Sequence, residues 1–329
     1  MSTPFYAAVL AGLLTAAAAA QAATAVNLPT ARRMMPMNVA ERANLRLTLD
    51  WWREVIEAGH LELVPKYQAE SYIQHNPNIS TGRAGFLAAF AKGNSPLNPI
   101  PPRLKNPPVL AAARGDYVWM MFEKRLTPGS SDRAAGEGIP SGDGHEASET
   151  GPAFYENRFE LLRLQDGQVQ EHWDADTKLP GSGVVRPGVS PKPPLKFNTG
   201  KLTKGELAAR DIAVRAASAV YLQGNRELAP ELIAPDYIEH DPNLQHGGSV
   251  TERVAGYVAP QLLLSYEPTI VLVNGEHVLM MWTLFSPDPD NTKQAYRWNY
   301  FQLARVRNGK VVEHWDQDPY RPEGGVADP

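Results

Sequence analysis

Three short motifs occur twice in this chain, in the same order. Tyr72-Ile-Gln-His-Asn-Pro-Asn78 returns as Tyr237-Ile-Glu-His-Asp-Pro-Asn243. Gly115-Asp-Tyr-Val-Trp-Met-Met121 returns as Gly275-Glu-His-Val-Leu-Met-Met281, and Glu171-His-Trp-Asp-Ala-Asp176 as Glu313-His-Trp-Asp-Gln-Asp318. Conserved order over that span predicts a duplicated folding unit, and two copies are too few for a solenoid. The chain has 329 residues, so each copy is long enough to close a core of its own.

The two copies have the same pattern of predicted elements. An amphipathic helix opens each, over Val39–Ala58 and Lys204–Gln223, and Gly59 and Gly224 stand where a helix end needs positive φ. A short second helix follows at Leu61–Gln68 and Glu227–Ile233, then the Tyr-Ile-x-His segment as a loop, then a third helix at Gly82–Lys92 and Ser249–Tyr257. Four strands close each copy. In the first they are Pro108–Arg114, Tyr117–Leu126, Ala153–Leu164 and Gln168–Asp174; in the second, Thr269–Val273, His277–Phe285, Tyr296–Val306 and Lys310–Asp316. Asp166-Gly167 and Asn308-Gly309 predict tight hairpins between the last two strands.

The resulting division is an export signal over 1–22, a first unit over 39–178, a proline-rich linker over 179–200 and a second unit over 201–320. The signal reading rests on the apolar run Phe5–Ala20 followed by Ala20-Gln21-Ala22, a small-x-small pattern. It implies a periplasmic or secreted protein with no membrane anchorage after cleavage. Thr127–Pro152, rich in Gly, Ser and Asp, reads as a long hairpin loop. With 32 Lys+Arg against 36 Asp+Glu and no basic run, the chain has no electrostatic footprint for nucleic acid. The absence of cysteine excludes thiol nucleophiles and thiolate metal sites.

Side chains alternate between faces along a strand. In the last strand of each copy, Val169, Glu171 and Trp173 oppose Gln170, His172 and Asp174, as Val311, Glu313 and Trp315 oppose Val312, His314 and Asp316. Each copy therefore presents a His and an Asp on one face, with Glu160 or Gln302 beside them on the preceding strand. His75 and His240 are expected on the rim of the same pockets.

Helices, then Tyr-Ile-x-His-Asn-Pro, then strands ending Asp-Gly-x-Val-x-Glu-His-Trp-Asp: this arrangement resembles the SnoaL-like family of the nuclear transport factor 2-like superfamily. It is most similar to the bacterial branch of SnoaL-like aldol-condensation catalysts. The resemblance implies an α+β fold of two tandem cones, each a curved antiparallel sheet with about three helices closing a pocket. It also implies cofactor-free acid–base chemistry on a small apolar carbonyl compound, such as aldol cyclisation, isomerisation or lyase chemistry. Carried over, the acid–base carboxylates are Asp174 and Asp316. His172, His314, His75 and His240 become donors, and Glu160 a shuttle where the branch commonly has Asp. Tyr72, Asn76, Trp119 and Trp52, with Tyr237 and Gln302 in the second copy, become substrate contacts. Two departures favour the first copy: Gln302 cannot titrate, and the second loop reads His240-Asp241.

Other readings stay open at this stage. The same pockets fit a non-catalytic binder of small molecules, or a scaffold whose motifs serve packing alone. His75, His172 and Asp174 are the residue types of a facial metal set, but their spacing is unlike compact metal motifs; no metal or cofactor is expected. Val169, Trp173, Val311 and Trp315 are expected to pack the two copies together through their outer sheet faces, giving an intrachain pseudo-dimer and a monomeric protein.

Overall fold

The computed structural model describes residues 35–91, 97–126, 154–184, 199–241, 244, 248–257 and 265–317. The expected export signal, the expected hairpin loop and most of the expected linker lie outside the described residues. Helix α1 (Val39–Trp51) starts at Asn38, whose side chain accepts from the Glu41 amide while Glu41 bonds back to the Asn38 amide. Thr203 and Glu206 repeat this capping box for α4 (Lys204–Arg215). Both helices then widen into π-helical turns at corresponding places, Trp52–Glu57 and Ala216–Leu222. Such turns insert an extra residue and often lie near functional sites.

Short helices α2 (Val64–Tyr67) and α3 (Arg83–Ala91) complete the first half's roof, as α5 (Ala229–Leu232) and α6 (Val250–Arg253) do in the second. The first sheet holds β1 (Gln68–Gln74), β2 (Leu110–Arg114), β3 (Tyr117–Leu126), β4 (Phe154–Gln165) and β5 (Gln168–Trp173). The second holds β6 (Ile233–Glu239), β7 (Ile270–Asn274), β8 (His277–Asp288), β9 (Asn291–Arg307) and β10 (Lys310–Asp316). Their orders correspond, β1-β5-β4-β3-β2 and β6-β10-β9-β8-β7. Asp166 and Asn308 take positive φ with the glycines that follow them, as a two-residue hairpin with the strands' twist demands.

The Tyr-Ile-x-His segment is a strand and not the expected loop. β1 and β6 lie parallel to β5 and β10 at the sheet edge. The paired residues Gln74 and His172, like Glu239 and His314, are far apart in sequence, so local pattern carries no trace of that pairing.

One face of each sheet packs under its helices, with Leu45, Val55, Phe86, Val118, Met120 and Leu162 among the core residues of the first half. The opposite faces meet. Trp119, Phe159 and Trp173 share one buried cluster with Leu279, Phe301 and Trp315, and the Phe159 and Phe301 rings stack 5.7 Å apart. Trp173 and Trp315 thus lie at the expected contact, but Val169 and Val311 do not: they pack on the helix side. The reason is a β-bulge in each hairpin. Register slips between the Arg163–Glu171 and Leu164–Val169 pairs, and between Arg305–Glu313 and Val306–Val311. One extra residue reverses the face of everything before it. Among the described residues, no helix is long and apolar enough to cross a membrane.

His277, opposite Arg305 across the β8–β9 ladder, is largely removed from water. Burial, reinforced by Arg305, pushes its pKa down to about 4. The imidazole is neutral in the fold and takes up a proton near pH 6.5 only when unfolded. Stability should fall as pH drops from about 6.5 towards 4, by roughly 2–3 kcal/mol at most from this group. Denaturant titrations of wild type and His277→Gln at pH 7 and pH 5 test this: the variant should lose less stability on acidification.

Candidate functional site

On the helix side of the first sheet, β5 and β4 bring His172, Glu160 and Asp174 together. The His172 Nε2 lies 2.5 Å from Glu160 Oε2, and its Nδ1 lies 3.2 Å from Gln74 Oε1 and 4.0 Å from Asp174 Oδ2. Asn76 Nδ2 donates to Asp174 Oδ2 at 2.9 Å and to Asp176 Oδ2 at 2.6 Å. The Gln74 side chain joins the set: its Nε2 donates to the Tyr72 hydroxyl at 3.0 Å, and its Oε1 accepts from the Asn76 amide at 3.0 Å. Trp51 meets the His172 ring edge-on at 6.3 Å, and Trp52 stacks on Phe122 at 5.2 Å. Glu160 is the most open of the three central groups, its side chain 16% exposed against 9% for His172 and 11% for Asp174.

The electrostatics follow from that geometry. Burial alone would push the His172 pKa down. The Glu160 carboxylate overrides it through charge and hydrogen bond, helped by Asp174, and holds the imidazole above its ordinary value. The charged pair therefore stabilises the fold fully below about pH 6.5, the unfolded value, and this contribution is lost as pH rises through the folded one.

The second half holds the same positions with different chemistry. His314 Nδ1 lies 2.8 Å from Glu239 Oε1, where the first half has Gln74, and Gln302 stands in place of Glu160. The carboxylate has moved from one side of the imidazole to the other. Burial would raise the Glu239 pKa, but His314 beside it holds it low. Tyr221 stacks on His314 at 4.2 Å. Gln302 Nε2 donates to the Tyr257 and Tyr300 hydroxyls at 2.8 and 3.0 Å, those two hydroxyls bond each other, and Tyr300 donates to Asp316 Oδ2 at 3.2 Å. The Tyr237 ring carries the Arg253 guanidinium 3.9 Å from its centre.

Residues 214–314 match the family model of the SnoaL-like domain. The chain resembles the SnoaL-like family. The matched span takes in Tyr221, Glu239, Gln302 and His314 of the second half and ends just before Asp316. Similar solved structures include TsrD from Streptomyces laurentii, 17% identical, covering 42% of this chain and 90% of that one with a TM-score of 0.26. IdmH from Streptomyces antibioticus, a polyketide cyclase candidate, is 20% identical over 39% of this chain and 87% of its own, with a TM-score of 0.25. An LEH-like epoxide hydrolase from M. tuberculosis is 9% identical over 43% and 83%, with a TM-score of 0.28. No curated protein matches the chain.

Within this SnoaL-like frame, three expected site residues are placed elsewhere. His75 and His240 do not rim the pockets. They stack flat on Trp173 and Trp315, each at 4.6 Å, and approach Glu171 and Glu313 on the inter-sheet face. Along β1 it is Tyr72 and Gln74 that turn under the helices, so alternation sends His75 the other way. Trp119 likewise is no pocket wall: it is buried between the sheets, donating from Nε1 to Asn274 Oδ1 at 3.0 Å. Asn76 is 2% exposed and engaged with two carboxylates, so it braces the site and does not face a substrate. Sequence reading missed Gln74, Glu239, Trp51 and Tyr221. The Gln74/Glu239 exchange was visible, inside the repeated motif, as the complement of Glu160/Gln302.

The donor atoms of Glu160, His172 and Asp174 lie within 4.8 Å of one another, a spacing that one cation spans. Both ring nitrogens of His172 already have partners, however, Glu160 on one side and Gln74 on the other.

Proposed function

We propose that the chain is a tandem of two SnoaL-like units in which the first carries out cofactor-free acid–base chemistry on a small apolar carbonyl compound. The observation that carries this is the part-buried Glu160–His172 pair at 2.5 Å, backed by Asp174 and roofed by Trp51. Glu160 takes the proton α to a carbonyl, leaving its own carboxylic acid and an enolate. The His172 imidazolium offsets the enolate's charge in a poorly solvated site. The enolate carbon then bonds to a second carbonyl carbon, and the resulting alkoxide recovers the proton from Glu160. Asp174, held by Asn76, orients His172. The SnoaL-like resemblance and the polyketide cyclase candidates among similar structures support the reaction class; the site geometry supports the roles.

The second unit we read as a non-catalytic partner. Gln302 replaces the proton acceptor, Tyr221 stacks on His314, and the Tyr257 and Tyr300 hydroxyls bond each other and the Gln302 side chain. Export to the periplasm and a monomeric state belong to the same proposal, and fractionation and light scattering test them.

The decisive experiment is α-deuterium exchange into a panel of simple ketones and 1,3-diketones in D2O, followed by NMR, with no cofactor added and with a chelator present. Catalysed exchange is expected, and Asp316→Asn should keep at least half of it. Ligand-induced quenching of tryptophan fluorescence without any exchange would instead favour the binder.

A further inference from the structure

Two buried asparagines, Asn157 on β4 and Asn299 on β9, occupy corresponding places two residues before Phe159 and Phe301. Each reaches across to the other half. Asn299 Nδ2 donates to the backbone carbonyl of Asp174 at 2.9 Å, and Asn157 Nδ2 donates to that of Asp316 at 3.1 Å and that of His240 at 3.2 Å. The contact is reciprocal, and it falls on the site aspartate both times.

The location gives the contact its consequence. Asp174 directly follows the last residue of β5, where the ladder of its own sheet ends. Its carboxylate is gripped from within the first half by Asn76, while its main chain is gripped by Asn299 from the second. Buried carbonyls require a donor, and here the other half supplies it. We propose that Asn299 is a positioning residue for the first-half site and Asn157 its counterpart for the second, so that each half completes the His–carboxylate geometry of the other. This rests on the reading of Glu160, His172 and Asp174 as the site, but not on any activity.

The test is NMR titration of the histidine rings in the full-length chain, with His172 and His314 assigned by single replacement. His172 faces Glu160 from β4, Gln74 from β1, Trp51 from α1, and Asp174 on its own segment, whose carboxylate shares Asn76 with that of Asp176. Of these, only Asp174 is bonded to Asn299. Asn299→Leu, which keeps the γ-branched outline and removes the donor, should lower the His172 midpoint and leave the His314 ring resonances in place. Asn157→Leu should disturb His314 and spare His172. Should either leucine variant fail to fold, the serine variant carries the same expectation. An unmoved His172 in folded Asn299→Leu would overturn the proposal, and so would equal disturbance of both histidines by both variants, the mark of a generally loosened interface. Since neither readout requires turnover, failure of the acid–base reading would leave this result standing.

Discussion

Glu160→Gln is expected to reduce catalysed α-deuterium exchange by about 10²–10⁴-fold, the usual contribution of a positioned general base. Glutamine keeps the shape and can still bond His172, so the fold should be preserved. What disappears is the proton acceptor and, with it, the charge that holds the His172 imidazole above its ordinary value. Two signatures should therefore appear together: lost exchange, and a His172 midpoint that falls, because burial is then opposed by Asp174 alone. The reciprocal substitution Gln302→Glu should not create activity in the second half, where the Tyr257 and Tyr300 hydroxyls already engage the side chain at this position. Wild-type exchange rates in Glu160→Gln would sink the assignment of the base.

Trp119→Ala should be the most destabilising single change at the contact between the sheets, at roughly 3–5 kcal/mol. The indole is 1% exposed and packs in the cluster shared by both halves. Its Nε1–H donates to Asn274 Oδ1, while Asn274 Nδ2 donates to the Ala113 carbonyl at 2.8 Å. Truncation opens a cavity and removes the donor to a buried amide oxygen at once. Lys178, buried beside Asp288 at 2.6 Å, and Arg114, paired with Glu206 at 3.0 Å, also tie the halves together. Wild type should therefore unfold calorimetrically in one transition, and the variant should show two or a markedly lower midpoint. An unchanged midpoint would mean that the halves do not stabilise each other through this cluster.

The duplicated motifs, the capped amphipathic helices, the hairpin turns and the pairing of His172 with Glu160 could be read directly from the chain. All of them depend on short-range rules: helical periodicity, cap chemistry, positive φ at Asp-Gly and Asn-Gly, and the two-residue period of a hairpin partner. The fifth strand of each sheet could not. Gln68–Gln74 is polar and short, and it becomes a strand because β5 offers it a parallel ladder from far along the chain.

Which residues face the site was decided in the same way. A single bulge, absent from any local pattern, turns Val169 under the helices while Trp173 faces the other sheet. The parity of β1 puts Gln74 on His172 and His75 on Trp173. The repeated motifs determined that a histidine, an aspartate and a tyrosine would recur in each half. Tertiary structure alone decided the rest: one half sets its carboxylate against Nε2 of the histidine and the other against Nδ1, and each borrows an asparagine from its neighbour. Sequence encodes period and residue type, but the face a side chain takes depends on register, and register is settled only when distant strands pair.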